Sequence, residues 1–197
     1  MINKINMKFV EPIREKSKID EIKKILKDDR NFRDLLFFVA WINFALRVTD
    51  LLELKVKDLF EDGEIKDFFD IIEKKTKKEN RIYITDNVKK VLKEYTAKYP
   101  YIIINPENYL FFTKNWKSNF WRRWALEIMH KLVKKVWLKW NYWTHTLRKT
   151  WGYQARKNDV PLEIIQHKLK HSSLRVTERY LWITLEEVWK ACLDLNL

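Results

Sequence analysis

The 197-residue chain is 46% hydrophobic, enough for one domain with a real core, and it carries a formal charge of +13 with an isoelectric point of about 9.6. That excess favours a polyanionic partner, with DNA or RNA as the first choice, although a lysine-rich solvated surface has the same composition. The single cysteine, Cys192, excludes an intramolecular disulfide and a cysteine-based metal site and favours an intracellular protein, and no apolar run or signal-peptide core predicts a membrane segment.

Two helices are predicted first in the chain. An apolar stripe over residues 17–27 indicates a short amphipathic helix with Ser17 as its N-cap. The denser apolar run over residues 35–46 is too long for a strand and predicts a buried helix. Arg47 ends this run, so it is either a surface residue or an anion ligand held from a rigid base.

The hydrophobic period changes between residues 61 and 85. Asp62-Gly63 is a turn signal, and β-branched and aromatic residues on both sides of a basic stretch predict a small antiparallel hairpin near residues 64–85. The basic tip is expected at residues 74–81. A charged turn that blunts an edge strand has the same sequence pattern.

The remaining chain predicts a series of helices and hence a mixed α+β, mostly α-helical fold in a single domain over residues 1–197. The basic amphipathic helix at 118–136 suits a DNA backbone but also ordinary solvation. Ser172 and Ser173 are predicted to cap the helix that carries Tyr180. The other helices are predicted at residues 86–98, with Asp86 as the cap, and at 144–157, 159–168 and 184–197.

Six polar residues from separate regions combine into one candidate phosphate site. Taken singly, each has an ordinary structural interpretation, such as a hydrogen-bonded core histidine or a half-buried tyrosine. Together they suit phosphodiester transesterification without a metal or other cofactor: two arginines clamp the phosphate oxygens, a tyrosine attacks, a histidine takes the phenolic proton and a lysine protonates the leaving 5′ oxygen. The six are Arg47, Lys75, His145, Arg148, His171 and Tyr180. A histidine and an arginine three apart on one helix are expected to share a face.

The sequence resembles the tyrosine recombinases, also called phage-type integrases, over nearly its whole length. Ala45-Leu-Arg-Val-Thr-Asp-Leu-Leu-Glu-Leu54 resembles the first box of that family, which places its first catalytic arginine at Arg47. Glu73-Lys-Lys-Thr76 resembles the hairpin box and places the catalytic lysine at Lys75, with Lys77 and Lys78 as alternatives.

The second half of the resemblance rests on one box and two spacings. His145-Thr-Leu-Arg148 is similar to the H-x-x-R box, His171-Ser-Ser173 resembles the His/Trp position, and Tyr180 resembles the nucleophile. Arg148 and His171 are 23 residues apart, and Tyr180 follows nine residues later. An H-x-x-R box with both spacings is a specific signal.

The resemblance implies a helical DNA breaking-and-rejoining domain that attacks double-stranded DNA, forms a 3′-phosphotyrosyl link, frees a 5′ hydroxyl and then exchanges strands. His145 is then the acid/base group, and His171 orients the phosphate or assists. It also implies homo-oligomers on DNA through the C-terminal helix at 185–197 and a cytoplasmic location. The alternatives are relaxation of DNA by a type IB topoisomerase-like reaction and a non-catalytic DNA-binding or regulatory protein.

Two departures from the family pattern are expected to matter. About 15 residues precede the first helix, so the resemblance covers a catalytic domain without the N-terminal core-binding domain. The family's usual glycines are replaced at Ala45, Lys170 and Trp182. With 10 Trp and 2 Gly in the chain, we hypothesise that some tryptophans, at turn positions such as Trp116, Trp140 and Trp143, are glycine codons (UGA) read with the wrong code.

Overall fold

The computed structural model describes residues 10–112, 122–138, 145–181, 189 and 192–195. In these ranges helices make up most of the regular structure, and two antiparallel hairpins lie between the fourth and fifth helices, so the predicted fold class is confirmed. The helices are α1 (Lys16–Asp28), α2 (Phe32–Phe44), α3 (Val48–Leu51), α4 (Val56–Leu59), α5 (Asp86–Lys98), α6 (Arg122–Lys135), α7 (Thr146–Lys157), α8 (Leu162–Lys168) and α9 (Leu174–Leu181), with a 3-10 helix at Pro100–Ile104. The strands are β1 (Phe60–Glu61), β2 (Glu64–Ile65), β3 (Phe68–Ile72) and β4 (Glu79–Tyr83). None of the helices in the described ranges has the length and apolar character needed to cross a bilayer.

Helix α2 lies at the centre of the main hydrophobic core and packs against α1, α5 and α7. It begins after Asn31, whose side chain accepts a hydrogen bond from the backbone N–H of Asp34. It ends at Ala45, which has the left-handed φ of 53°. Trp41 is fully buried, and its Nε1 donates to the carbonyl of Leu46 at 3.1 Å. The chain therefore leaves this helix in a fixed direction, and Arg47 follows directly.

Strands β3 and β4 form the hairpin that the sequence predicts. Ile72 pairs with Glu79 next to the turn, and Phe69 and Ile82 face the core while their neighbours are more exposed. The turn closes through a hydrogen bond from Glu73 N to Lys78 O at 3.0 Å. The predicted basic tip at 74–81 is therefore too long, because its last three residues pair within β4 rather than turning.

Helices α7, α8 and α9 form a smaller packing unit with the turn after α2. Its buried side chains are Ala45, Ile165, Leu169 and Leu181, which make a cluster separate from the main core. Gly152 on α7 allows α9 to approach, because a Cβ atom at this position would lie 2.7 Å from Cδ2 of Leu181. The helix that carries Tyr180 is thus docked directly on the helix that carries Arg148.

Several predicted helix ends differ from the structure. Ser17 lies inside α1, and the N-cap is Glu15, whose side chain makes no capping hydrogen bond; the predicted serine cap is wrong because the helix begins two residues earlier than predicted. Asp86 is the first residue of α5 rather than its cap, which is Thr85.

Some predicted elements lie partly outside the residues that the structure describes. The start of the helix at 118–136 and residue 144 lie outside the described residues. So does most of the predicted C-terminal helix, of which positions 189 and 192–195 are described and are helical.

Candidate active site

A buried carboxylate joins the two candidate arginines. Arg47 donates from Nη1 to Oε2 of Glu73, and Nη1 of Arg148 lies 3.9 Å from Oε1 of the same residue. The side chain of Glu73 is fully buried. Burial alone raises its pKa, but the charges of Arg47 and Arg148 and the hydrogen bonds outweigh burial, so the pKa is lowered overall and Glu73 is ionised. The two arginines of the prediction are therefore brought together.

Arg148 is held rigidly by backbone carbonyls. Its Nη1 donates to the carbonyl of Ala45 at 2.7 Å, and its Nη2 donates to the carbonyl of Leu169. Its side chain is only 2% exposed. The left-handed conformation of Ala45 is the backbone geometry for which glycine is usually needed, and the family resemblance implies a glycine at this position. The turn after α2 thus supplies both Arg47 and an anchor for Arg148.

His145 lies at the N-cap of α7 rather than within the helix. The prediction that it shares a helix face with Arg148 is wrong in that detail, since helical geometry begins at Thr146. Desolvation, followed by the charges of Arg148, Arg122, Arg47 and Lys75, lowers the pKa of His145 to about 4. The imidazole is therefore neutral at pH 7 and can accept a proton.

His171 and Tyr180 pack against each other. Their ring centroids are 4.8 Å apart in an edge-to-face arrangement, with the ring planes at 71°. Nδ1 of His171 is 3.0 Å from the Thr177 hydroxyl, which fixes the imidazole from within α9. His171 follows Lys170, whose φ of 50° is a second left-handed position where the resemblance implies glycine. Desolvation and the nearby arginines lower the pKa of His171 to about 4.

The Tyr180 hydroxyl is buried next to the guanidinium of Arg148. Within the described ranges it has no hydrogen bond of ordinary geometry. Burial raises the pKa of Tyr180 to about 12, while Arg148 and Arg47 act in the opposite direction by stabilising the phenolate. A phenol in this environment needs both a proton acceptor and the arginine charges in order to attack.

Lys75 is the least firmly placed of the six candidates. It is exposed on the turn of the β3–β4 hairpin, and its link to the others is its charge, which contributes to the lowered pKa of His145. Lys77 and Lys78 are exposed on the same turn. The choice among the three lysines stays a prediction.

Further polar residues belong to this cluster and were not singled out from the sequence. Asp50 is buried, accepts a hydrogen bond from Lys74 N at 3.0 Å and has a pKa raised by burial. Lys149 places its Nζ 5.0 Å from the centroid of the Tyr180 ring. The sequence offered only a weak signal for these residues: Asp50 stands three residues after Arg47, and Glu73 is one acid in a lysine-rich stretch.

Among the described residues, no group of three or more His, Cys, Asp or Glu side chains is arranged to hold a metal ion.

The sequence matches a known family and its members over most of its length. Residues 15–186 match the model of the phage integrase family. The probable integrase/recombinase YoeC of Bacillus subtilis (strain 168) is 36% identical over 177 residues, covering 90% of this chain and 92% of that protein. The tyrosine recombinase XerA of Pyrococcus horikoshii is 28% identical over 177 residues, covering 87% of this chain and 58% of that protein. The chain thus spans almost the whole of one relative and somewhat more than half of the other.

Solved structures share the fold. The XerA recombinase crystal structure aligns with a TM-score of 0.73 and 19% identity, over 95% of this chain and 66% of that one. The Tn1549 transposon integrase in complex with circular intermediate DNA aligns with a TM-score of 0.74 and 17% identity, over 98% of this chain and 69% of that one. At these identities the comparison establishes the architecture of the chain.

Proposed function

The chain belongs to the phage integrase family and is a tyrosine recombinase, and we propose that it catalyses site-specific recombination of double-stranded DNA with Tyr180 as the nucleophile. The formal charge of +13 supports a DNA substrate. So do the structural neighbours with the same fold that were solved in complex with DNA.

The reaction requires no metal or redox partner. The phenolic oxygen of Tyr180 attacks the scissile phosphorus, the bond from phosphorus to the 5′ oxygen breaks, and the products are a 3′-phosphotyrosyl link and a 5′ hydroxyl. Neutral His145 takes the phenolic proton, and a hairpin lysine, Lys75, donates a proton to the departing oxygen. Attack by the 5′ hydroxyl of a partner strand reverses the step and rejoins the DNA.

The arginines supply the electrostatic part of catalysis. The trigonal-bipyramidal transition state carries extra negative charge on the non-bridging oxygens, and rigid cations placed beforehand stabilise it. Arg148 is fixed by two carbonyl groups and Arg47 by a carboxylate, so little reorganisation is needed when the phosphate binds. His171 holds the tyrosine ring edge-to-face and thereby orients the attacking oxygen.

One observation carries the proposal. The charges of Arg148 and Arg47 act to lower the pKa of the buried Tyr180 hydroxyl, and the ring of the same tyrosine contacts His171. Residues separated by 133 positions in the sequence therefore act on one oxygen atom. An ordinary core tyrosine would have its hydroxyl paired with a neutral acceptor, as Tyr95 does with the carbonyl of Leu110.

We also propose that protomers associate on DNA through the C-terminal segment. Its described side chains Trp189, Leu193 and Leu195 are 65%, 56% and 67% exposed. Apolar side chains of this size exposed together favour a partner surface. Deleting residues 185–197 is expected to preserve thermal unfolding and to reduce assembly on DNA, measured by sedimentation; unchanged assembly contradicts this part of the proposal.

The test is capture of the covalent intermediate. Nicked duplexes covering the DNA that flanks the gene lose a short 5′-hydroxyl fragment after cleavage, so the protein-DNA adduct cannot be resealed. The wild type is expected to form an adduct that survives denaturing electrophoresis, and Tyr180→Phe is expected to form none while it still binds the duplex.

The matched control is Tyr83→Phe, which changes an exposed tyrosine on β4. It should form the adduct at the wild-type rate. If the wild type binds these duplexes but forms no adduct on any of them, the chain acts on DNA by binding alone and the proposed function is wrong.

A further inference from the structure

We propose that Glu73 is a positioning residue of this site: its buried carboxylate holds the two arginines and the lysine-bearing turn as one unit, so that its charge acts on the scissile phosphate through Arg47 and Arg148. This inference rests on the proposed function. Glu73 touches none of the reacting atoms in the proposed mechanism and acts through the residues that do.

The carboxylate is hydrogen-bonded through both of its oxygens. Oε2 accepts from Nη1 of Arg47 and from the Thr76 hydroxyl at 3.0 Å, and Oε1 accepts from Nδ2 of Asn80 at 2.9 Å. Nη1 of Arg148 is 3.9 Å from Oε1. Donors on the turn after α2 and on the hairpin therefore meet at one fully buried group beside Arg148 of α7, and its orientation is determined by all of them together.

The charge of Glu73 suits its neighbours. Two guanidinium groups held close together repel each other, and one buried carboxylate between them reduces this repulsion. The two arginines and Glu73 together carry one net positive charge, which complements the single negative charge of a phosphodiester. Removing the carboxylate leaves two uncompensated cations, of which Arg148 is 2% exposed, so both side chains are expected to separate or rotate.

Glu73 also sits at the base of the lysine turn. Its N–H donates to Lys78 O at 3.0 Å, and its carbonyl accepts from Lys77 N at 2.8 Å. Lys75 lies two residues further along the same turn. Because backbone and side chain of Glu73 are both engaged, the position of the arginines and the position of the turn depend on each other.

The experiment compares Glu73→Gln with the wild type in single-turnover adduct formation on two substrates. One has an ordinary scissile phosphodiester, and the other has a neutral methylphosphonate at that position. Removing the charge of the reacting group makes arginine placement less important. On the phosphodiester we expect Glu73→Gln to be slower by about tenfold or more, with DNA affinity retained; on the methylphosphonate the difference from wild type should shrink to a small factor.

Two further variants make the result specific. Glu53→Gln removes an exposed acid that pairs with Lys74 at the same hairpin and does not contact either arginine, so it should match the wild type on both substrates. Thr76→Val removes one hydrogen bond to Glu73 but no charge. It should show a weaker defect with the same dependence on the substrate, and it replaces Glu73→Gln as the test if that protein does not fold.

The outcomes separate the two proposals. If Glu73→Gln is slower than wild type by the same factor on both substrates, or as fast as wild type on the phosphodiester, Glu73 has no role through the arginines and the inference is wrong. If the wild type itself forms no adduct on the phosphodiester, it is the proposed function that fails.

Discussion

The ammonium group of Lys149 lies over the ring of Tyr180, with Nζ 5.0 Å from the ring centroid. Lys149 is 9% exposed, and burial lowers its pKa. A desolvated cation on an aromatic face contributes about 2 kcal/mol, and it favours the electron-rich phenolate over the phenol. Under the proposed function, the lysine next to Arg148 in the sequence therefore assists Tyr180 as the nucleophile.

Lys149→Met is expected to slow adduct formation by about threefold to thirtyfold, since 1.4 kcal/mol corresponds to a factor of ten. DNA binding should be unchanged, because the side chain is directed at the tyrosine rather than at solvent. Single-turnover cleavage and a separate binding measurement check this. Lys149→Arg keeps the charge and should recover part of the rate; equal rates for Lys149→Met and wild type would exclude a role for the cation.

Acid is expected to destabilise the folded chain through the site histidines. The pKa values of His145 and His171 fall from 6.5 to about 4 on folding, so below pH 6.5 the unfolded chain binds protons that the folded chain does not. The free energy of unfolding therefore decreases as the pH falls from 6.5 to about 4, and this contribution then stays constant. The limit is about 1.4 kcal/mol per pH unit for each histidine. His145 is exposed to solvent at the N-terminus of α7, so its contribution is smaller than that of the half-buried His171.

Denaturant unfolding at a series of pH values between 4 and 8 measures this slope. His171→Gln removes one of the two groups and should make the slope shallower. A free energy of unfolding that does not vary with pH in this interval would show that the histidines are not desolvated in the folded protein.

The identity of the leaving-group acid can be decided chemically. A duplex with sulfur in place of the bridging 5′ oxygen has a leaving group that departs without protonation, because a thiolate is far less basic than an alkoxide. Lys75→Ala is expected to slow cleavage of the ordinary duplex by about a hundredfold or more and to cleave the sulfur-containing one at nearly the wild-type rate. Lys77→Ala and Lys78→Ala serve as matched variants of the same turn. Whichever of the three shows the rescue is the acid, and rescue at Lys77 or Lys78 instead would correct the assignment of Lys75.

Trp137 is expected to destabilise the chain. It follows the end of α6 with a φ of 58°, and the hydrogen bonds from Leu138 N to Val133 O and from Trp137 N to Lys134 O form a Schellman motif around it. A left-handed conformation costs a residue with a Cβ about 1–2 kcal/mol relative to glycine. The side chain is 82% exposed and gains little from packing.

Trp137→Gly should therefore raise the free energy of unfolding by about 1 kcal/mol, measured by denaturant titration. Trp137→Ala removes the ring but keeps the Cβ and should give little of this gain. A glycine variant that is less stable than the wild type would show that the indole packs productively. The coding DNA tests the wider hypothesis that some tryptophans are glycine codons (UGA) read with the wrong code. A UGG codon at this position would mean that the gene encodes tryptophan here.

Much of the fold and of the site could be predicted from local patterns. The helices and the hairpin follow from hydrophobic periodicity and turn residues, and the six candidate residues follow from the boxes that resemble those of tyrosine recombinases. Arg47, Arg148, His171 and Tyr180 lie together in the structure as the spacings suggest. Their assignment as catalytic residues stays a prediction until the adduct is tested.

The parts that could not be predicted depend on contacts between distant residues. Glu73 meets Arg47 across 26 positions, and Arg148 meets Ala45 across 103. In the sequence, Glu73 is one acid among lysines, and nothing local distinguishes it from a solvated turn residue. The serine cap at α1 was predicted from residue type alone, whereas in the structure the helix begins after Glu15, which has an extended backbone and no capping hydrogen bond from its side chain.

The residues of the site are anchored next to two separate hydrophobic clusters of different size. Leu147, beside Arg148, belongs to the main core, as does Leu46, beside Arg47. Leu181, beside Tyr180, belongs to the small cluster with Ile165 and Leu169. Local opening that exposes only the small cluster requires much less free energy than unfolding of the whole chain. Under the proposed function, a local transition of α9 releases Tyr180 and presents its buried hydroxyl to DNA, while Arg47 and Arg148 stay beside the main core and Arg148 keeps its carbonyl anchors.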